Sequence, residues 1–122
     1  MASRRQGRMR QQWRDLFKAF DVVLCPPMPT PAFPHDHAKD HRSRHLDIDG
    51  KQVPYIHQIV WAGMAILLGL PATVAPIERS EGGLPIGVQI IGPYLEDHTT
   101  IGFAGLIERE FGGFVEPPPI SR

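Results

Sequence analysis

The chain has 122 residues, enough for one compact domain and too few for two ordinary ones. Its 13 basic and 13 acidic side chains balance, which argues against a nucleic-acid-binding protein and against a protein held on an anionic membrane. A single cysteine, Cys25, excludes an internal disulfide and favours a reducing compartment, so we expect a cytoplasmic location.

The first predicted element is an amphipathic helix that begins near Arg8. Its apolar side chains share one helical stripe, which comprises Met9, Trp13, Leu16, Phe17 and Phe20. Arginines occupy the other side, namely Arg4, Arg5, Arg8, Arg10 and Arg14. A phosphate-binding face and a solvated face give the same pattern, and overall neutrality favours the solvated one. We therefore expect no nucleic-acid partner.

A short strand and a long loop follow this helix. Residues 22–25 are apolar and partly β-branched, which predicts a strand buried on both faces. Residues 26–44 then contain five prolines and several histidines. An irregular segment of this length within a compact domain is typically functional or disordered.

The histidines of residues 35–45 raise the question of a metal site. His41 and His45 are four residues apart, as ligands are in helical zinc sites. Cationic side chains lie between them, however, and no predicted strand or helix fixes their geometry. A solvated loop is the favoured interpretation, a metal-binding module the weaker one, and we expect neither a metal nor a cofactor.

A β-hairpin and an unusually apolar helix are predicted next. Residues 46–48 and 52–53 flank Asp49-Gly50, a dipeptide typical of a two-residue hairpin turn. Pro54 suits the first turn of a helix, which we expect over residues 55–68. Its apolar side chains surround the axis, so this helix should lie inside a protein.

Two strands and a final helix complete the predicted elements. Residues 72–75 and 86–91 are strand candidates, each introduced by Gly-Leu-Pro. The helix stripe consists of Thr100, Phe103, Ala104, Ile107 and Phe111, with Asp97 as the predicted N-cap and Gly112 and Gly113 at the end. Residues 117–119 should be an extended surface tail.

These elements predict an α/β fold with a mixed sheet and helices packed around short strands. The strand at 22–25 and the helix at 55–68 both need cover on all sides, and two amphipathic helices are too few to provide it. The sequence therefore indicates either a partner chain or a piece of a larger domain. The longest apolar run, residues 59–70, is shorter than the roughly 20 residues that cross a bilayer, so we expect no membrane span.

No complete active site is evident from local motifs. Cys25 ends an apolar strand without a neighbouring cation, which favours a packed thiol over a nucleophile. None of the serines lies in a nucleophile elbow; they are Ser3, Ser43, Ser80 and Ser121.

Several segments, taken in order, resemble the C-terminal part of amidase signature enzymes. They are WRDLF at 13–17, DVVLCP at 21–26, PAFPHD at 31–36, GLPATVAP at 69–76, GLPIGVQIIGP at 83–93 and residues 108–118. The resemblance implies hydrolysis of carboxamide C–N bonds to a carboxylate and ammonia or an amine. It also implies that residues 1–122 form one unit, the C-terminal segment of a mixed-sheet α/β amidase-like domain without its catalytic signature region.

Enzymes of this kind use a serine nucleophile, a second serine and a lysine. The sequence has no Ser-Ser pair, and its three lysines have no matching context, so no catalytic residue is assigned here. The resemblance instead implies that the helix at 55–68 and the loop at 26–37 line the acyl side of the substrate pocket. On that helix His57, Trp61 and Met64 lie at offsets 0, 4 and 7 and are the candidate pocket residues. Core packing is the alternative for Trp61 and Met64.

The expected partners follow from these interpretations. A small-molecule amide would bind only together with the N-terminal portion of the enzyme, and the apolar helix should favour self-association. The alternative function is a stand-alone, non-catalytic binding or dimerisation module on the same scaffold.

Overall fold

The computed structural model describes residues 2–119. Within them the helices and strands are α1 (Ala2–Leu16), β1 (Val23–Cys25), β2 (His45–Ile48), β3 (Lys51–Pro54), α2 (Val60–Leu68), β4 (Ala72–Arg79), β5 (Pro85–Ile91) and α3 (Asp97–Phe111), with 3-10 helices at His41–Ser43 and Tyr55–Ile59. This composition confirms the predicted α/β class. Every strand pair in the described residues is antiparallel.

Helix α1 is confirmed, although it starts before Arg8 and ends at Leu16. The next turn is tightened by an i−3 backbone bond from Ala19 N to Leu16 O of 3.0 Å. This turn removes Phe20 from the predicted stripe and leaves it exposed, while Phe17 still packs on the core. At the end of α1, Lys18 Nζ lies 2.6 Å from Asp15 Oδ1, and this hydrogen bond lowers the pKa of the exposed Asp15 carboxyl.

The main sheet has the strand order β1-β5-β4, so β1 is an edge strand. Val23 pairs with Ile91 and Cys25 with Gln89. The prediction that β1 is buried on both faces is wrong for this chain, because Leu24 points away from Cys25 and remains 50% exposed. Nothing in the described residues covers that side of the strand fully.

Strands β4 and β5 form a hairpin that is longer than the two predicted strands. Pro76 pairs with Gly87 and Glu78 with Ile86, so Ile77 is an extra residue that forms a β-bulge. Pro76 is tolerated because β4 is the other edge of the sheet, where an N–H is not required for pairing on both sides.

The small hairpin β2-β3 is confirmed. Ile48 pairs with Lys51 across a two-residue turn, in which Asp49 and Gly50 have φ values of 53° and 75°. Positive φ at both turn residues is the geometry that an Asp-Gly dipeptide favours.

The predicted single helix over residues 55–68 is divided in two. Pro54 has ψ 131°, so it ends β3 and does not occupy a first helical turn. Residues Tyr55–Ile59 form a 3-10 helix, and the α-helix α2 begins only at Val60. It ends at Leu68, and the φ of 69° at the following Gly69 allows backbone bonds from Gly69 N to Ile66 O and from Leu70 N to Ala65 O. These two bonds define a Schellman cap.

Helix α3 follows the prediction along most of its buried stripe and ends before Gly112 as predicted, but its N-cap residue differs. Its N-cap residue is Glu96, and Asp97 is the first helical residue. The positive end of the helix dipole stabilises the negative charge of Asp97 there. At the other end Phe111 is exposed, while Gly112 caps the helix with a φ of 92°.

The sheet separates two core clusters. On one face Cys25 and Ile91 of the sheet pack with Ala65 of α2, and α1 covers this cluster as well. On the other face Ala75 and Ile90 of the sheet pack with Ile107 of α3. The arrangement has three layers, with two helices on one side of the sheet and one on the other.

The surface of the chain is larger than its mass predicts. A compact protein of 13.6 kDa should expose about 6,600 Å². This chain exposes 9689 Å², and its exposed large apolar side chains include Ile66 at 80% and Val60 at 62%. The expectation that α2 lies inside a protein is therefore not met by the chain alone.

Candidate functional site

A groove between the loop after β1 and the β2-β3 hairpin is the larger of two described cavities. Its volume is about 670 Å³. The walls are residues 29–36 of the loop, residues 45–49 of the hairpin, and Leu84. The walls combine proline and other apolar surface with polar side chains, which are Thr30, His35, Asp36, His45, Asp47 and Asp49.

The second cavity, of about 390 Å³, borders the same loop. Residues 26–32 and 85–87 line it, so residues 29–32 form a wall that both cavities share. Within this wall the hydroxyl oxygen of Thr30 is buried and has no hydrogen-bond partner among the described residues. A buried hydroxyl without a hydrogen-bond partner is uncommon in folded proteins.

The loop is held by hydrogen bonds near its far end. Arg44 donates from Nε and Nη2 to Ala38 O, at 3.0 and 2.6 Å. Asp40 Oδ1 accepts from Arg42 N at 2.9 Å and caps the short 3-10 helix. Together with the fixed φ of its prolines, these bonds shape a segment that lacks regular structure.

An aromatic contact joins the loop to the 3-10 helix before α2. The rings of Phe33 and Tyr55 meet edge to face, with centroids 6.0 Å apart. The backbone N–H of Tyr55 also donates to Arg44 O at 2.9 Å. The loop, the hairpin and the start of the predicted pocket helix are thus connected.

The three candidate pocket residues lie in two different environments. Trp61 and Met64 are half-buried and pack on the cluster of Cys25, Ala65 and Ile91. His57 is exposed on the 3-10 helix. None of the three lines either described cavity, and their assignment to a substrate pocket stays a prediction.

The loop assigned to the pocket, residues 26–37, gives a different result. Each of its residues 26–36 lines at least one of the two cavities. The long proline-rich segment is therefore the part of the predicted pocket wall that borders open space.

The histidine-rich loop brings few ligands together. His35 and His37 stand edge to face with ring centroids 5.9 Å apart. Among residues 2–119 no three His, Cys, Asp or Glu side chains are grouped so that they could hold a metal ion.

Cys25 is buried, which confirms the interpretation of a packed thiol. Its sulfur accepts a hydrogen bond from Gln89 Nε2 at 3.1 Å, and the same amide nitrogen donates to Trp61 O at 3.1 Å. Gln89 thereby links β1, β5 and α2 within the core. Sequence reasoning gave this residue no role, although a lone polar residue in an apolar strand is the signal that could have identified it.

The side chains of Ser43, Ser80 and Lys18 bind groups other than one another. Ser43 Oγ donates to Asp40 O, and Ser80 Oγ accepts from Leu84 N. Lys18 pairs with Asp15 on α1. Within the described part of the chain no hydrogen bond joins a serine to a lysine.

Over the described range, no helix is both long enough and apolar enough to cross a bilayer.

Comparison with known proteins shows which sequences and folds this chain resembles. The amidase family model matches residues 1–101. Fatty-acid amide hydrolase 2-B of Danio rerio is 30% identical over 109 residues, which cover 89% of this chain and 18% of that protein. One subunit of the glutamyl-tRNA(Gln) amidotransferase of an Exiguobacterium species is 32% identical over 109 residues, covering 89% of this chain and 20% of the relative.

A solved amidase structure has a similar fold. It superimposes with a TM-score of 0.70 at 23% identity, over 88% of this chain and 23% of its own. This chain spans about a fifth of the length of the relatives that it matches.

Proposed function

This chain belongs to the amidase family, and from that premise we propose that it serves in the hydrolysis of a carboxamide C–N bond, to a carboxylate and ammonia or an amine. Its part in the reaction is that of a scaffold and pocket wall, and the nucleophile comes from amidase polypeptide outside these residues. The observation that carries this proposal is a family match over residues 1–101 in a chain equivalent to only a fifth of each relative.

The chemistry of amide hydrolysis supports assigning the pocket wall to this chain and the nucleophile to further amidase polypeptide. Amide hydrolysis needs a nucleophile to attack the carbonyl carbon and an acid-base group to move its proton. The family resemblance assigns these tasks to two serines and a lysine, and the serines and lysines of this chain lie in unrelated contexts. Residues 1–122 are thus proposed to be one unit of a larger amidase-like domain.

The groove geometry supports a role on the acyl side of the substrate. The loop of residues 26–36 presents prolines, Met28 and Phe33 to the two cavities. The part of the wall formed by these residues is apolar, which suits the hydrocarbon part of an amide, such as the fatty-acid amide in the name of the Danio rerio relative. His57, Trp61 and Met64 are proposed to complete the wall once the remaining polypeptide is in place. The buried free thiol of Cys25 supports the proposed cytoplasmic location.

The first test uses the purified chain alone. We expect no release of ammonia from a long-chain primary fatty amide or from simple aliphatic and aryl amides. Steady turnover that disappears in a Cys25→Ala or Ser43→Ala variant would contradict the proposal, because it would place a nucleophile in this chain.

The second test supplies the other part of the enzyme. The Danio rerio relative is expressed without the segment that matches this chain, and the segment is added back as a separate polypeptide. The relative's own segment serves as the positive control for ammonia release from the fatty amide. We expect this chain to restore a measurable part of that activity. If the relative's segment restores activity and this chain neither restores it nor co-purifies, the proposal is wrong.

The second candidate function is a stand-alone binding or dimerisation module. The exposed apolar side of α2 favours it, because that surface can join two polypeptides without any catalysis. Failure of the complementation test together with stable self-association would support this alternative.

A further inference from the structure

Gln89 is a buried polar side chain between the main sheet and α2. It lies in β5, is 4% exposed, and pairs with Cys25 of the edge strand β1. The amide nitrogen Nε2 donates to Cys25 Sγ and to the backbone oxygen of Trp61, at 3.1 Å in each case. Three elements of the fold therefore meet at one side-chain nitrogen.

The two acceptors of this amide stand at the beginnings of the two segments assigned to the substrate pocket. Cys25 is the last residue of β1, and residues 26–36, each of which lines a cavity, follow it directly. Trp61 lies in the first turn of α2. Strand β5 itself contributes to the wall, because residues 85–87 line the second cavity. Gln89 thus fixes the point where the loop leaves the sheet relative to the point where the helix begins.

A second connection joins the loop to the polypeptide before α2. The ring of Phe33 meets that of Tyr55 edge to face, with centroids 6.0 Å apart. Aromatic pairs tolerate a range of distances and tilts, whereas a hydrogen bond weakens steeply when its angle changes. The bonds of Gln89 are therefore the more exact of the two connections between the loop and the helix.

The contacts of Gln89 suit it to fixing geometry more than to adding stability. A thiol sulfur is a weak acceptor, and a buried amide has given up its hydrogen bonds to water. A methionine of similar length would fill the same space without that loss. Apolar packing is not directional, however, while a satisfied polar contact in the core holds its partners in one arrangement.

We propose that Gln89 is a positioning residue for the acyl side of the pocket. It holds the loop of residues 26–36 and helix α2 at a fixed separation, and that separation determines how tightly a long acyl chain binds. This inference rests on the proposed function, which assigns the loop and α2 to the pocket wall. An amide whose acyl group is too short to extend along the wall should not depend on Gln89.

The first experiment measures the separation in the full chain and needs no activity. Spin labels are attached to Ala32→Cys in the loop and to Ile66→Cys on α2, because both positions are exposed while the thiol of Cys25 is buried. Pulsed electron paramagnetic resonance should give one narrow distribution of distances between the labels. Gln89→Met keeps the length of the side chain and removes its donors, so it should broaden this distribution about twofold or more.

Thr100→Val is the matched control. It also removes one polar contact, the 2.8 Å bond between the hydroxyls of Thr73 and Thr100, but on the opposite side of the sheet. Its loss of stability should be similar to that of Gln89→Met, and it should leave the distribution of distances unchanged.

The second experiment uses the enzyme reassembled from this chain and the truncated Danio rerio relative, with decanamide and propanamide as substrates. Gln89→Met should raise KM for decanamide by about three- to tenfold and leave kcat within about twofold. Both constants for propanamide should be unchanged, and Thr100→Val should alter neither substrate. A role in stability alone would instead lower kcat equally for the two amides, because fewer complexes would be folded.

Two results would overturn the role of Gln89. One is an unchanged distribution of distances in Gln89→Met, which would show that the loop and α2 are held without this residue. The other is an equal effect on decanamide and propanamide. Failure of the unsubstituted chain to restore activity would contradict the proposed function instead, and the distance measurement would still decide whether Gln89 holds the loop and the helix together.

Discussion

Helices α2 and α3 pack on opposite faces of the same sheet, and they differ in the composition of their outer sides. Thr100 and Ile107 of α3 are buried against the sheet, while its outer side carries the charged side chains of Glu108 and Arg109 beside exposed Ile101 and Leu106. Helix α2 buries Ala65 and Leu68 and is apolar on its outer side as well. An amphipathic helix needs one partner, and a helix that is apolar on both sides needs two. Substitutions on the two sides of the sheet should show how far each helix contributes to the stability of the chain.

The largest effects are expected at two neighbouring residues that face opposite helices. Ile90 and Ile91 are both fully buried, Ile90 beneath α3 and Ile91 beneath α1 and α2. Ile90→Ala and Ile91→Ala should each lower the free energy of unfolding by about 2–5 kcal/mol. Denaturant titration measures the loss, and hydrogen exchange should show faster opening of α3 in the first variant and of α2 in the second. A loss below about 1 kcal/mol would mean that the helix concerned is not firmly packed.

Smaller effects are expected from the polar contacts on the two sides. Thr100→Val removes the 2.8 Å contact between the hydroxyls of Thr73 and Thr100, on the α3 side. Gln89→Leu removes the bonds to Cys25 Sγ and Trp61 O, on the α2 side. Each should cost about 1 kcal/mol of stability. The two variants are controls for each other, since hydrogen exchange should increase only in the helix that lost its contact, and a uniform increase would refute the assignment.

The glycine caps after α2 and α3 should contribute equally to stability. Gly69 after α2 and Gly112 after α3 both have positive φ, at 69° and 92°. Gly69→Ala and Gly112→Ala should each destabilise the protein by about 1 kcal/mol, because alanine is strained in that region. Thermal unfolding of both variants provides the measurement. Clearly unequal shifts would show that one cap contributes little to its helix.

The smallest effects, and of opposite sign, are expected in the helix interiors. An alanine Cβ at Gly63 of α2 or Gly102 of α3 would meet no atom within 4 Å. Gly63→Ala and Gly102→Ala should each stabilise the dilute chain by about 0.5–1 kcal/mol. Thermal unfolding measures the change. A loss of stability in either variant would show that the packing around that glycine requires the absence of a Cβ atom.

Elements whose residues carry their own local signals were predictable from the sequence. The Asp49-Gly50 turn set the β2-β3 hairpin, and the stripe of Thr100 and Ile107 set the buried side of α3. The family resemblance assigns the loop of residues 26–37 to the pocket; its residues 26–36 line the two cavities, and its role in substrate binding stays a prediction.

Features that depend on long-range contacts were not predictable. Five residues are too few for periodicity to separate a 3-10 helix from an α-helix, and Tyr55–Ile59 is fixed by its bond to Arg44 and by Gln58 Nε2 donating to Pro54 O. The pairing of Gln89 with Cys25 spans 64 positions of sequence, which no local pattern can reveal. The exposure of Leu24 depends on what lies beside β1 and not on the strand's own composition.

The two edges of the main sheet give it a direction of growth. At β4 the ring of Pro76 supplies no N–H, and the bulge at Ile77 twists the backbone away from a neighbouring strand. Glu78 and Arg79 add charge at the same edge. At β1 the strand is apolar and free of proline and charge, and only its length of three residues limits pairing there. Extension of this sheet by another strand is therefore hindered at β4 by three features and at β1 by one, so the β1 edge is the more open of the two.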